Sequence, residues 1–309
     1  KDSMGLGATY ANLGEVYRLK TDYPEALKYF LLSLRIDEAL QYEIGIAYAY
    51  NYLGATYQEL GDYTKALENF QAALEIRLRL GLDAGIAAGY NNIGTIYADE
   101  GKFAEALENY KASLAIKEKI DDRYGMANTY INIGDVYHKQ GDQQEAMKYF
   151  SLALKLQKDL EDQEGMAATY IAMAASRIAT KQYAEASSLL TKVVSISKEI
   201  GSLYYLRDGY ATFAHLDSIT GNHKQGLEHY KLYVAARDSI TNEENSRKLV
   251  ETQMQYDFDK KESLAKAEQD QKDFLALKAM QKQKMVRNGF MGGFAVVLLF
   301  AGILLSQRN

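Results

Sequence analysis

The strongest constraint on this chain is a repeat of period 40. Tyr10, Tyr50, Tyr90, Tyr130, Tyr170 and Tyr210 fall in register without an insertion. Gly14, Gly54, Gly94 and Gly134 follow the same frame, as do Tyr17, Tyr57, Tyr97 and Tyr137. Ala26, Ala66, Ala106, Ala146 and Ala186 continue it, and Phe30, Phe70, Tyr110, Phe150, Leu190 and Tyr230 complete it. Self-similarity at such a spacing marks a stacked array, in which a small unit buries its apolar face only against its neighbours. Length is then a poor guide to domain number.

Each unit reads as two helices. Apolar residues recur at three- and four-residue spacing on both sides of a short break, as at Lys20-Thr21-Asp22, Leu60-Gly61-Asp62 and Gln140-Gly141-Asp142. The break offers Gly to end one helix and Asp to cap the next. Pro24, the one proline, sits in the first turn of a second helix, where its missing N–H breaks no intrahelical bond. Gly14 and Ala26 are expected to let the paired helices approach closely, with Tyr10, Leu13, Tyr17 and Phe30 filling the space around the contact.

This pattern resembles the tetratricopeptide repeat family, whose signature of aromatic, Leu-Gly, Tyr, Ala and aromatic is met by Tyr10, Leu13-Gly14, Tyr17, Ala26 and Phe30. The resemblance covers roughly residues 8–245 and is sharpest in the first four units. It implies an all-α fold, a right-handed superhelical solenoid of helix-turn-helix units. Family units usually repeat at about 34 residues. The longer period implies about an extra turn in each helix, as in kinesin light chains and the spindle-orientation adaptors. Six units are expected over 10–245, with residues 1–9 as the end of a truncated preceding repeat, because they match Asp121–Thr129 and Glu161–Thr169. The last two units drift: Ala174 replaces Gly, Arg177 and Asp217 replace the inner Tyr, and Gly226 replaces Ala, as a terminal capping region should.

Beyond the repeats, residues 246–287 turn to Glu, Lys, Gln and Asp without Gly or Pro, which predicts a long charged helical linker. Stepping by seven from Val250 meets Asp257, Leu264, Gln271, Lys278 and Met285, so the sequence leaves both a coiled coil and a single solvated helix open. Residues 289–306 carry no charge and would extend roughly 27 Å as a helix. A transmembrane helix is therefore expected over 288–306, with 307–309 starting a tail. Gly289 and Gly293 add a spacing suited to helix contact, and with the linker they suggest a homodimer. Lys282, Lys284 and Arg287 precede the span and Arg308 follows it, which by charge alone would leave the repeats in the cytoplasm.

Several function classes are disfavoured by what the chain holds. The net charge is −5 with a pI near 5.6, which gives no basic field for nucleic acid. There are no cysteines, and no phosphate loop, nucleophile elbow or paired-His motif is visible. The four histidines, His138, His215, His223 and His229, lack metal-ligand spacing. Neither an enzyme, a metal nor a cofactor is expected within this stretch.

The family resemblance instead implies a protein or peptide ligand on the concave face lined by first helices. Mapping the family's inward-facing positions selects Asn12, Asn51, Asn91, Asn92, Asn128 and Asn132, together with Arg18, Asp135, His138 and Asp208. Asparagine donates and accepts at once, which suits capture of a peptide backbone. The competing reading is that these asparagines pack helix against helix. Tyr10, Tyr50 and Tyr90 read as packing residues, while Tyr48 and Tyr52 fit either role. The order of repeats, charged helix and single span also resembles the sensory half of Bacteroidota membrane sensors of the histidine kinase or helix-turn-helix regulator type. That implies periplasmic repeats that relay ligand binding through the linker. A tail-anchored cytoplasmic scaffold is the alternative.

Overall fold

In the computed structural model, residues 3–241 are described, together with Lys272, Lys278 and Lys284. The rest of the expected linker, the span over 288–306 and the tail over 307–309 lie outside the described residues. Among the described residues no helix is long and apolar enough to cross a membrane. Lys1–Ser239 forms one compact body.

That body is entirely helical, with no strand among the described residues. Eleven helices follow one another: α1 Ser3–Leu19, α2 Tyr23–Ala39, α3 Glu43–Glu59, α4 Tyr63–Leu80, α5 Asp83–Asp99, α6 Phe103–Lys119, α7 Arg123–Lys139, α8 Gln143–Asp159, α9 Gln163–Ala179, α10 Tyr183–Glu199 and α11 Leu203–Ile219. A twelfth, α12, is described over residues 223–241. Six helix pairs result. Residues 3–9 are the first two turns of α1, continuous with Tyr10, because the aromatic landmark falls in the middle of a first helix and not at its start.

The turns explain why the spacing never slips. One residue in each turn adopts positive φ, at 20-residue intervals from Thr21 through Gln41, Gly61, Gly81, Gly101, Asp121, Gly141, Glu161, Lys181 and Gly201 to Gly221. At the first turn Thr21 N donates to Arg18 O at 2.9 Å and Asp22 N to Tyr17 O at 2.9 Å, the paired bonds that close a helix through a left-handed residue. Asp22, Asp62, Asp122, Asp142 and Asp162 then cap the next helix, accepting from Glu25, Lys65, Gly125, Glu145 and Gly165 N. Each such residue thus ends one helix and begins another.

Packing within a pair follows the small residues. A Cβ added at Gly14 would lie 2.6 Å from the Phe30 ring, and one at Gly134 would lie 2.5 Å from that of Phe150. Gly54 and Gly94 are pressed in the same way by Phe70 and Tyr110. The aromatic ring of each second helix therefore lies on bare backbone of the first, and Ala26, Phe30, Ala66, Phe70, Ala106, Ala146 and Phe150 are fully or almost fully buried. In the fifth unit both partners change together: Ala174 faces a buried Leu190. The sixth unit breaks the register. Tyr230 is 52% exposed, so it does not take the core place that the repeat assigns to it. The neighbouring His229 does, stacking on Phe213 at 4.5 Å between centroids and bonding Asp217 at 2.6 Å. Gly226 stands where the earlier units carry Ala.

Stacking between units is asymmetric. The first helices meet one another directly, α1 with α3, α5 with α7, α7 with α9 and α9 with α11, whereas successive second helices are joined only through the first helix between them. Close approach on one side and separation on the other bends the array toward its first helices.

Candidate functional site

The inner face is built from α1, α3, α5, α7, α9 and α11, and the residues selected from sequence distribute along it in three groups. In the middle, asparagines join neighbouring units. Asn92 Nδ2 on α5 donates to Asn51 Oδ1 on α3 at 3.2 Å, and Asn132 Nδ2 on α7 donates to Asn91 Oδ1 on α5 at 3.2 Å. Asn51 also accepts from Arg77 at 3.3 Å, and Asn91 from Thr129 at 3.4 Å. The four form a ladder with a one-residue offset per rung, and each still has hydrogen-bonding capacity that the ladder does not use. At the register of Asn51 and Asn91 the other units carry Ala11, Ile131, Ile171 and Ala211. Asn12 and Asn128 are exposed and make no side-chain hydrogen bond to another described residue.

The charged members have structural partners. Arg18 is held by Glu15 on its own helix at 2.5 Å and by Glu59 on α3, and both carboxylates raise its pKa further above the ordinary guanidinium value. It is a strap between the first two units. Asp208 accepts from Arg207 at 2.7 Å. Asp135 is different: burial pushes its carboxyl up to about 6, against the opposing influence of His138 and Lys139. His138 Nδ1 lies 2.7 Å from Gln143 Oε1, and Gln143 Nε2 donates to the His138 carbonyl at 3.2 Å, which fixes the ring over the α7–α8 turn.

Two cavities open on this face, one at either end of the ladder. The C-terminal one, about 570 Å³, is lined by Ala175, Ile178, Ala179 and Ala211 together with His138, Thr212 and His215. The N-terminal one, about 560 Å³, lies among α1, α2 and α3 and includes Asn12, Tyr48, Tyr52 and Asp37. Tyr52 stacks on Phe30 at 5.0 Å, while Tyr48 is exposed and carries the Arg77 guanidinium 5.9 Å from its ring centre. Of the residues selected from sequence, Asn12 lies in the N-terminal cavity and His138 in the C-terminal one, with Tyr48 and Tyr52, which fitted either role, also in the former.

Sequence reasoning missed the series beneath this face. Asp37, Arg77, Lys117, Gln157 and Ser197 recur at the 40-residue period on second helices, and all are buried. They lie seven residues after the core aromatic, on the same stripe, so a polar residue recurring at a buried register was the available signal. Arg77 donates to Gly85 O at 3.2 Å, and Lys117 to Gly125 O at 3.1 Å and Thr129 Oγ1 at 2.8 Å. Burial lowers the pKa of both cations. Gln157 Oε1 accepts from Thr169 at 2.9 Å, but its Nε2 has no partner among the described residues. Asp37, Arg77, Lys117 and Gln157 each lie at the glycine near the start of the next first helix, whereas the Ser197 hydroxyl donates to Val193 O on its own helix at 2.7 Å.

Among the described residues no group of three or more His, Cys, Asp or Glu side chains could hold a metal ion. A family model described as Tetratricopeptide repeat matches residues 5–79, 45–119 and 85–159. Curated proteins give no match. Among solved structures the chain is similar to apo RapI, at 20% identity and TM-score 0.63, covering 78% of this chain and 86% of that one. BtubC (BKLC) from P. vanneervenii aligns at 22% identity and TM-score 0.57, covering 65% and 84%. A Rap protein solved in complex with Competence and Sporulation Factor aligns at 14% identity and TM-score 0.59, covering 75% of each chain. At these identities the likeness is one of fold.

Proposed function

Because the chain belongs to the tetratricopeptide repeat family, we propose that its inner face captures an extended or helical segment of a protein ligand, and that the array is the ligand-binding part of a single-span membrane signalling protein. The fold itself is a protein-interaction scaffold without catalytic machinery of its own. The observation that carries the reading is the arrangement of two cavities, about 560 and 570 Å³, at the ends of a polar ladder on one continuous helical face. Side chains of a bound segment enter the cavities, while the ladder asparagines offer donors and acceptors to its backbone. A Rap protein of similar fold was solved in complex with Competence and Sporulation Factor, which is compatible with use of this fold to bind a partner.

The membrane part of the proposal rests on the uncharged run over 289–306 and the charged stretch before it. Repeats on the periplasmic side would bind the ligand, and the linker would carry the change to the span, provided that the ligand binds two states of the array unequally. A random dodecamer library displayed against the full chain tests the groove. Enriched peptides should lose at least tenfold in affinity for Ala211→Trp, which fills the C-terminal cavity; undiminished binding contradicts the groove reading. Topology is read separately. The chain has no cysteine, so Ser263→Cys should react with an impermeant thiol reagent in cells whose outer membrane is permeabilised, and protection there favours a cytoplasmic scaffold.

A further inference from the structure

The first junction between units differs from those that follow it in the sign and the size of its buried side chain. At the second and third junctions a cation from the second helix, Arg77 or Lys117, reaches over Gly85 or Gly125 and donates to that residue's carbonyl. At the first, the register position holds Asp37, which is 5% exposed. Its carboxylate is wedged between two first helices: a Cβ on Gly7 would lie 3.0 Å from Oδ1, and one on Gly45 2.5 Å from Oδ2. No Lys, Arg or His pairs with it among the described residues. The neighbouring Ser33 hydroxyl gives its one proton to Gly7 O at 2.9 Å. Because aspartate is too short to fill the space that Arg77 and Lys117 fill one and two units later, the cavity of about 560 Å³ opens there, with Asp37 in its wall.

We propose that this cavity receives one cationic side chain, lysine or arginine, of the bound segment, with the Asp37 carboxylate as its counter-ion. The inference rests on the groove reading above and names the chemistry that one end of the groove selects. A ligand cation would occupy the place that the chain's own cations take at the next two junctions, and it would find the same kinds of partner. The Gly45 carbonyl corresponds to those of Gly85 and Gly125, which accept from Arg77 and Lys117. Tyr42, Tyr48 and Tyr52 supply ring faces and edges for the methylene stem, and Tyr48 already carries a guanidinium on its ring. Burial drives the Asp37 pKa upward, so the ionised carboxylate is held at a cost that a bound cation relieves. An acidic or neutral side chain leaves that cost in place.

Peptides enriched by the full chain from the random dodecamer library supply the test. Wild-type protein should enrich peptides with a Lys or Arg at one fixed position, and replacing that residue by norleucine or citrulline should weaken binding at least tenfold. Asp37→Asn should bind the basic peptide and its neutral counterpart equally, and its melting temperature should be no lower than that of wild type, because an unpaired buried charge is removed. Ala8→Trp, which obstructs the cavity and leaves Asp37 in place, should abolish the preference in the same way, and it serves if Asp37→Asn does not fold. A tenfold preference that survives both substitutions overturns the assignment. Enriched peptides without a basic residue overturn it too, while leaving the groove reading intact. No enrichment at all overturns both.

Discussion

At the scale of single residues, the array carries costs that its neighbours make tolerable. Thr21 occupies the left-handed region with φ 59°, where Gly61, Gly101 and Gly141 stand in later units. A β-branched residue there is strained, so Thr21→Gly should raise unfolding stability by about 0.5–1 kcal/mol in urea titration, the gain being limited by the extra freedom of Gly in the unfolded chain. Asp135 is the second case. Its folded pKa of about 6 lies above the ordinary aspartate value, so the folded state binds a proton more tightly than the unfolded chain. Stability from this group is complete at low pH and falls as pH rises from about 4 to about 6. Asp135→Asn should flatten that part of the profile and raise stability at pH 7 by about 1–2 kcal/mol, allowing for the group's partial exposure. A slope that survives the substitution would assign the dependence to another group. The first cost was legible, because Thr21 shares the register of Gly61 and Gly141, but the second was not, because only the helices packed around Asp135 decide its solvent.

At the scale of elements, the sequence was most informative where one residue type does one job. Helix pairs, their breaks at Asp22, Asp62 and Asp142, and a close approach at Gly14 could be read directly, although the group pressed on Gly14 is the Phe30 ring that was expected only to fill the space around it. Pairings across units could not. Asn92 meets Asn51, and Asn132 meets Asn91, through an offset fixed by the stacking angle of neighbouring first helices, which no single-helix pattern encodes. In the last unit α12 departs from the register, with His229 stacked on Phe213 while Tyr230 is exposed. The Gly–aromatic contact itself yields a test. Gly134→Ala places a Cβ 2.5 Å from the Phe150 ring and should cost about 1–3 kcal/mol. Phe150→Leu alone should leave a cavity and also destabilise. Together they reproduce the Ala174–Leu190 pair of the fifth unit, so the double variant should be more stable than the sum of the two changes by about 1 kcal/mol. Strict additivity would show that the contact is not the determinant of helix approach.

At the scale of the whole array, curvature follows from what each face must bury. First helices carry Gly and Ala and approach one another, second helices carry the bulky core aromatics, and the stack bends toward the small residues. Bending concentrates the ladder, both cavities and the Asp37 carboxylate on one side, while the exposed ion pairs within helix pairs, such as Arg79 with Glu43 and Lys119 with Asp83, contribute little beyond solubility. The central claim is that ligand is bound by the first-helix face. Hydrogen exchange of the full chain with and without a peptide enriched from the display library measures this face by face. Slowed exchange in α1, α3, α5, α7, α9 and α11, with α2, α4, α6, α8 and α10 unchanged, is the expected result. Protection confined to the second helices would place the ligand on the opposite side of the array and contradict the account.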